Sequence, residues 1–320
     1  MRNIVKIGFV IASLWFCLIA LEQIFDFGLK HNQNIKLAYV KNNRIDADIL
    51  IHGPCEPLWM ISPAILDKQT KLKSYNLALS HSDFADNFLH LYIYLKYNKA
   101  PAYLFLYVTP ESFDEHYNTF NTYRFSPYLN DSVVTRVLAT CDSSYYKWIN
   151  IPFMKYAYYN HKQSFNVLQG YKHWFTNRSL PYYPNGFEPP AKIAWDNHLE
   201  KFIQLYPKGY HFKWSMLREK YLLEIIKLAK SKKIKLFLYE SPVLNEAKAY
   251  QPNRNEILSK IELLAKKNNI KYILFDSMDI ANSRKYFISI LNLNLKGSEI
   301  FSDSLGKYVQ EKILNSNRLN

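Results

Sequence analysis

Apolar residues recur along this chain in patterns that predict one long membrane-type segment and then alternating strands and helices. Ile7–Leu21 carries no charge, and Ser13 is its one polar side chain; Arg2 and Lys6 precede it, Glu22 and Asp26 follow. As a helix those fifteen residues span roughly 22 Å, and flanking apolar residues (Ile4, Val5, Ile24, Phe25, Phe27) extend the run toward a bilayer's hydrocarbon thickness. Ala47–His52 reads as a short buried strand that stops at Gly53-Pro54. Pro57 then suits the first position of a short helix with Glu56 at its cap. Ser74–Leu79 predicts a second strand, and Asp83–Lys96 a helix capped by Ser82 or Asp83. Tyr103–Val108 predicts a third strand between Pro101 and Pro110. Downstream, helices over Met216–Ser231 and Asn255–Lys267 lead into strands Ile234–Tyr239 and Lys271–Phe275, and Gly297–Leu314 closes the chain as a helix.

Strands alternating with helices of this length imply an α/β fold with a doubly wound, flavodoxin-like parallel sheet. Both faces of such a sheet are covered, which is why its strands are uniformly apolar. Ligands bind beyond the carboxyl ends of the strands, so the residues after each strand are the ones to inspect. Residues 117–212 interrupt the alternation. They are rich in Tyr, Phe and Trp, hold Pro127, Pro152, Pro181, Pro184, Pro189 and Pro190, and are expected to form one long insertion. Its rings suit either plain packing or stacking on sugar faces. The expected organisation is a segment 1–30 that anchors the chain, then one α/β domain over 31–320 carrying that insertion.

Charge adds a direction to the anchor. Arg2 and Lys6 on the N side place that end in the cytoplasm, and the main domain in the periplasm or outside the cell. A cleaved signal peptide is the rival reading, but bulky Trp15 and Phe16 and the sequence Cys-Leu-Ile-Ala-Leu-Glu-Gln supply no small-residue cut site. The formal charge of +14 favours anionic partners such as a membrane surface, although a Lys-rich solvated exterior is the plainer explanation. No zinc-finger spacing, RNA-binding aromatic signature or dense Lys/Arg run points to nucleic acid. Cys17, Cys55 and Cys141 make neither a disulfide framework nor a zinc ribbon, and no metal or cofactor is expected.

Candidate chemistry gathers at the strand ends. The first strand delivers Gly53-Pro54-Cys55-Glu56, with Cys55 at a helix N-terminus whose dipole favours the thiolate while Glu56 opposes it. The second delivers Ser80-His81-Ser82-Asp83. A Cys55–His81 dyad oriented by Asp83 or Glu56 would suit acyl transfer; a buried Cys in a turn and a helix-capping His are the plain alternative. The third and fourth strands end at Glu111 and at Glu240-Ser241, two carboxylates suited to a cation, to acid/base work or to capping.

Several stretches together resemble the SGNH/GDSL hydrolase-like proteins. They are the strand-Gly-x-nucleophile turn at Gly53–Cys55, Tyr75-Asn76-Leu77 before a capped helix, Lys99-Ala100-Pro101 ahead of strand three, and Leu293-Asn294-Leu295-Lys296-Gly297. The nearest likeness is to the membrane-anchored envelope group, similar to alginate O-acetylation proteins and the D-alanyl transfer protein of teichoic acid synthesis. It covers residues 47–110 and 233–315. The resemblance implies a Ser nucleophile, a Gly and an Asn in the oxyanion hole, and an Asp-x-x-His acid/base pair. Here Cys55 stands at the nucleophile, Ala78 at the glycine, and Ser289-Ile290-Leu291-Asn292 at Asp-x-x-His. Asn292 cannot shuttle a proton, so the resemblance implies either a binding or assembly factor in envelope glycan or lipid acylation, or an acyltransferase or esterase using Cys55 with His81. A membrane-bound O-acyltransferase and an envelope glycan are the partners it suggests.

Overall fold

The computed structural model describes residues 2–116, 120–158, 163–176, 184–190 and 195–315. The chain divides into two compact units, one of Met1–Asn43 with Phe120–Tyr182, the other of Arg44–Thr119 with Tyr183–Asn320. The segment expected as a single insertion is therefore shared between them. Pro181 lies outside the described residues.

In the larger unit five strands form one parallel sheet: β1 (Ile49–His52), β2 (Ser74–Asn76), β3 (Tyr103–Tyr107), β4 (Lys235–Glu240) and β5 (Lys271–Leu274), in the order β2-β1-β3-β4-β5. Alternation along each strand sorts side chains to two covered faces. On one face Ile49, Ile51, Phe105, Tyr107, Phe237 and Tyr239 join Leu66, Phe301 and Leu305 of the helices Pro63–Thr70 and Leu295–Val309 in one core cluster. Phe105 stacks on Phe237 with centroids 5.0 Å apart. The helices Phe84–Tyr97 and Met216–Ser231 pack together through Phe88 and Tyr221, and the first covers the other face, where its Asn87 carbonyl meets the β1 residue His52 at 2.9 Å. Fully burying each such aliphatic or aromatic side chain contributes roughly 1.5–3 kcal/mol, which makes the sheet the rigid base of the crevice.

The boundaries differ from the sequence expectation where side chains compete with the ladder. Strand β2 ends at Asn76, not at residue 79, although Leu77 and Leu79 still donate to Ile51 O at 2.7 Å and Gly53 O at 3.0 Å. The reason is the Asn76 carboxamide, which accepts from Ala78 N–H at 3.1 Å and donates to Pro57 O at 2.7 Å and Ile61 O at 3.0 Å. The first short helix begins at Cys55, not Pro57, with Pro54 before it. A proline in the first turn lacks only an N–H that has no intrahelical partner there. The last helix starts at Leu295 because Asn294 caps it, accepting from Gly297 N–H at 3.1 Å, and it passes into a π-helical turn over Gln310–Leu314.

The smaller unit is built on the N-terminal helix, Arg2–His31, which is long and apolar enough to cross a membrane. Its first two-thirds is exposed, whereas Asp26, Gly28 and Leu29 are buried. There it crosses the helix Ser164–Thr176. A Cβ on Gly170 would collide with the Gly28 carbonyl, so the close approach requires glycine. Beside the crossing, Lys155, 4% exposed, pairs with Glu22 and Asp26 at 2.9 Å each.

Candidate functional site

Because β1 lies between β2 and β3, the connections from its carboxyl end diverge, and that is where an open α/β sheet leaves a crevice. A cavity of about 330 Å³ occupies it, within the usual range for small-molecule sites. Cys55, Glu56, His81, Asp83, Glu111, Ser289 and Asn292 all line it, so distant stretches of sequence do meet there.

Gly53 makes the turn possible. Its φ is +147°, and a Cβ would press on Tyr107 and Pro57 at 2.7 and 2.8 Å. The turn sets Cys55 at the start of the helix Cys55–Met60, partly buried. Burial, helped by the Glu56 charge, pushes its thiol up to about 11. The backbone N–H groups of His81 and Cys55 and the Ser80 hydroxyl pull the other way and lose. The helix dipole expected to favour the thiolate is outweighed, since six residues make a weak dipole and desolvation acts on the whole charge.

His81 reaches Cys55 through its main chain. The residue sits in the left-handed region at φ +47°, which aims its N–H at the sulfur while the side chain is exposed. Asp83 caps the helix Phe84–Tyr97, accepting from Ala85 N–H at 2.8 Å and Asp86 N–H at 3.2 Å. Burial raises its carboxyl, against the pull of Arg218.

Three carboxylates surround the floor of the crevice. Glu56 is pushed up to about 7, mainly by burial and further by the charge of Glu111. Glu111 accepts from Gln251 Nε2 at 3.0 Å, and Arg218 donates to the carbonyls of Glu111 at 3.3 Å and Ser112 at 3.1 Å. Glu240 is fully buried, also driven up to about 7 by burial, and bound to Arg254 at 2.8 Å. Ser241 is buried against the Tyr107 hydroxyl at 3.3 Å. Glu240 and Ser241 thus support the floor and do not line the cavity. Among the described residues no cluster of three or more His, Cys, Asp or Glu is arranged for a metal ion.

On the opposite wall Ser289 accepts from Asn292 Nδ2 at 3.0 Å and from its N–H at 3.3 Å. Asn292 Oδ1 is buried and without a partner among the described residues, and so are Glu56 Oε2, Glu111 Oε2 and His198 Nδ1. An unpartnered buried polar atom costs about 1–3 kcal/mol, and four such atoms belong to residues that line this one cavity. The sequence reading missed His198 and Arg218. The first begins a helix, His198–Leu205, inside the segment read as insertion; its only signal was Asp196-Asn197 ahead of Leu199, Phe202 and Ile203. The second lies one turn into a helix that was expected, with nothing to mark it from the neighbouring basic residues.

No known family profile matches the chain, and no curated protein does. Among solved structures it is similar to a psychrotrophic esterase from Pseudoalteromonas sp., in a form inhibited by monoethylphosphonate. That match has 12% identity, a TM-score of 0.40, and covers 84% of this chain and 100% of that one. It is also similar to a putative acylhydrolase from Bacteroides fragilis, at 10% identity and TM-score 0.37, covering 85% and 87%. A GDSL-like lipase from Bacteroides thetaiotaomicron matches at 12% identity and TM-score 0.38, covering 84% and 88%.

Proposed function

We propose that this is a membrane-anchored, envelope-facing protein whose SGNH-like crevice holds a neutral, hydroxyl-rich ligand, a glycan segment, without turning it over, as a binding or assembly factor in glycan or lipid acylation. The supporting observation is the row of unpartnered atoms: Glu111 Oε2 and Asn292 Oδ1 accept, and Glu56, which keeps its proton up to about pH 7, both donates and accepts, so the ligand must bring donors and acceptors together. Sugar hydroxyls do. An anionic ligand would find Arg218 in the lining but also Glu111 and, above about pH 7, the Glu56 charge, which disfavours uronate or phosphate groups inside the cavity.

The absence of turnover is supported by Cys55 and Asn292. A thiol pushed up to about 11 is almost wholly protonated at neutral pH, and an amide stands where the resemblance implies the proton carrier. The anchor is supported by the missing small-residue cut site after the apolar run and by a helix, Arg2–His31, that runs unbroken into buried Asp26, Gly28 and Leu29.

The test is a neutral and acidic oligosaccharide array probed with the detergent-solubilised chain, alongside hydrolysis of p-nitrophenyl acetate. Retention on neutral glycans, lost in Asn292→Ala and Glu111→Gln, with ester hydrolysis at the background rate, is the expected pattern. Hydrolysis above background that Cys55→Ala abolishes would overturn it in favour of a Cys55 acyltransferase or esterase.

A further inference from the structure

The helix Ser164–Thr176 carries large apolar residues that the smaller unit leaves bare: Phe165 and Leu168 are each 68% exposed and Phe175 74%. Its orientation on the N-terminal helix says what faces them. Gly170 and Val167 meet Gly28, and Tyr171 and Trp174 meet Phe27. On one side of that contact the helix bonds to residues after His31: Asn32 Nδ2 donates to Asn166 O at 2.9 Å, Asn34 Nδ2 to Gln169 Oε1 at 3.1 Å, and Gln33 N–H to His173 Nδ1 at 3.1 Å. On the other side it reaches back toward the apolar run, with the Tyr171 hydroxyl donating to Ile24 O at 3.4 Å.

At about 100° per residue, Leu168 and Phe175 lie within roughly 60° of Tyr171 and nearly opposite Asn166 and His173. They therefore point along the N-terminal helix toward its exposed, membrane-type stretch, where Leu21 and Ile24 are 41% and 45% exposed. Lys172 is exposed beside them, and Trp174, against Phe27 at the contact between the helices, is still 51% exposed.

We propose that Ser164–Thr176 lies in the headgroup region of the bilayer that the N-terminal helix crosses, with Leu168 and Phe175 inserted at the acyl boundary. The lipid surface is the occupant because the bare face is continuous with the exposed apolar face of the spanning helix. Apolar side chains with an aromatic and a lysine at the rim are what such a surface accommodates. The inference rests on the reading of the N-terminal helix as a membrane span. Its consequence is a second attachment point, which holds the smaller unit against the membrane instead of letting it pivot on one helix.

The experiment uses the full chain with Cys17, Cys55 and Cys141 changed to Ser, reconstituted in vesicles of three parts phosphatidylcholine to one part phosphatidylglycerol. Spin labels are placed singly at Val10→Cys, Leu168→Cys, Phe175→Cys and Lys232→Cys. The readout is collision with oxygen, which concentrates in lipid, against a water-soluble nickel chelate. The expected result is an oxygen-to-nickel ratio at 168 and 175 severalfold above that at 232 and below that at 10. A lipid-like ratio at 10 with a water-like ratio at 168 and 175 overturns the proposal and leaves the span standing. Shielding of 168 and 175 from both reagents overturns it in favour of a protein partner. A water-like ratio at 10 overturns the span itself.

Discussion

Cys55 offers the sharpest check on the electrostatics of the crevice. Its thiol is held at about 11 against an ordinary 9.0, with burial the main cause and the Glu56 charge the second. At pH 8 that lowers the thiolate fraction from about one in ten to about one in a thousand, so alkylation should run about a hundredfold below that of an unperturbed thiol. The assay is iodoacetamide labelling of the Cys17→Ser/Cys141→Ser protein, followed by mass spectrometry from pH 6 to 11. The rate should climb through the whole range with its midpoint near 11. In Glu56→Gln the midpoint should fall and still stay above 9.0, because the buried surroundings remain. Steric shielding alone would give a low plateau with an ordinary midpoint, so position and height of the curve separate the two causes. A midpoint at or below 9.0 would refute the reasoning and point to a primed nucleophile.

Three further outcomes follow from the same structure. Folded Glu56 keeps its proton up to about pH 7 while the unfolded chain releases it near 4.5, so the folded state loses stability as pH rises through that window. The advantage of Glu56→Gln in thermal unfolding should be absent near pH 4 and grow to at most about 3 kcal/mol by pH 8; a pH-independent difference would contradict the burial of that carboxyl. Lys155→Ala leaves Glu22 with the Phe153 N–H and Asp26 with Lys30 at 3.6 Å and the Tyr156 hydroxyl, and should cost at most about 3–5 kcal/mol, most of it recovered by the combination Lys155→Met, Glu22→Gln, Asp26→Asn, as measured by unfolding in detergent. At His81, with φ +47°, glycine should be neutral or stabilise by up to about 1 kcal/mol, whereas Val should cost about 1–2 kcal/mol. His81→Gly should also leave the Cys55 labelling curve in place, since the main chain makes the contact; a changed midpoint would bring the imidazole into the site.

The strands, their parallel order and the crevice at their carboxyl ends were legible in the chain because they depend on periodicity. A buried strand must be apolar on both faces and a covering helix on one, so Ile49–His52 and Met216–Ser231 announce themselves. Gly53 was legible for a similar reason: a strand that stops at Gly-Pro before a helix needs a backbone conformation that other residues resist. Protonation and orientation were not. Cys55 and His81 lie in the neighbourhood their sequence implied, but whether a thiol is charged depends on how much water the fold removes, and a positive φ at residue 81 presents N–H instead of ring. Arg218 and His198 entered the cavity from helices whose local pattern is ordinary, because a single polar residue on an amphipathic helix carries no mark of what it will face. The same holds for Leu168 and Phe175, apolar in sequence and bare in the fold. Local sequence determines which elements form, through propensity and period. Only the tertiary structure decides which polar atoms lose their water and which apolar faces keep it, because both follow from what packs nearby.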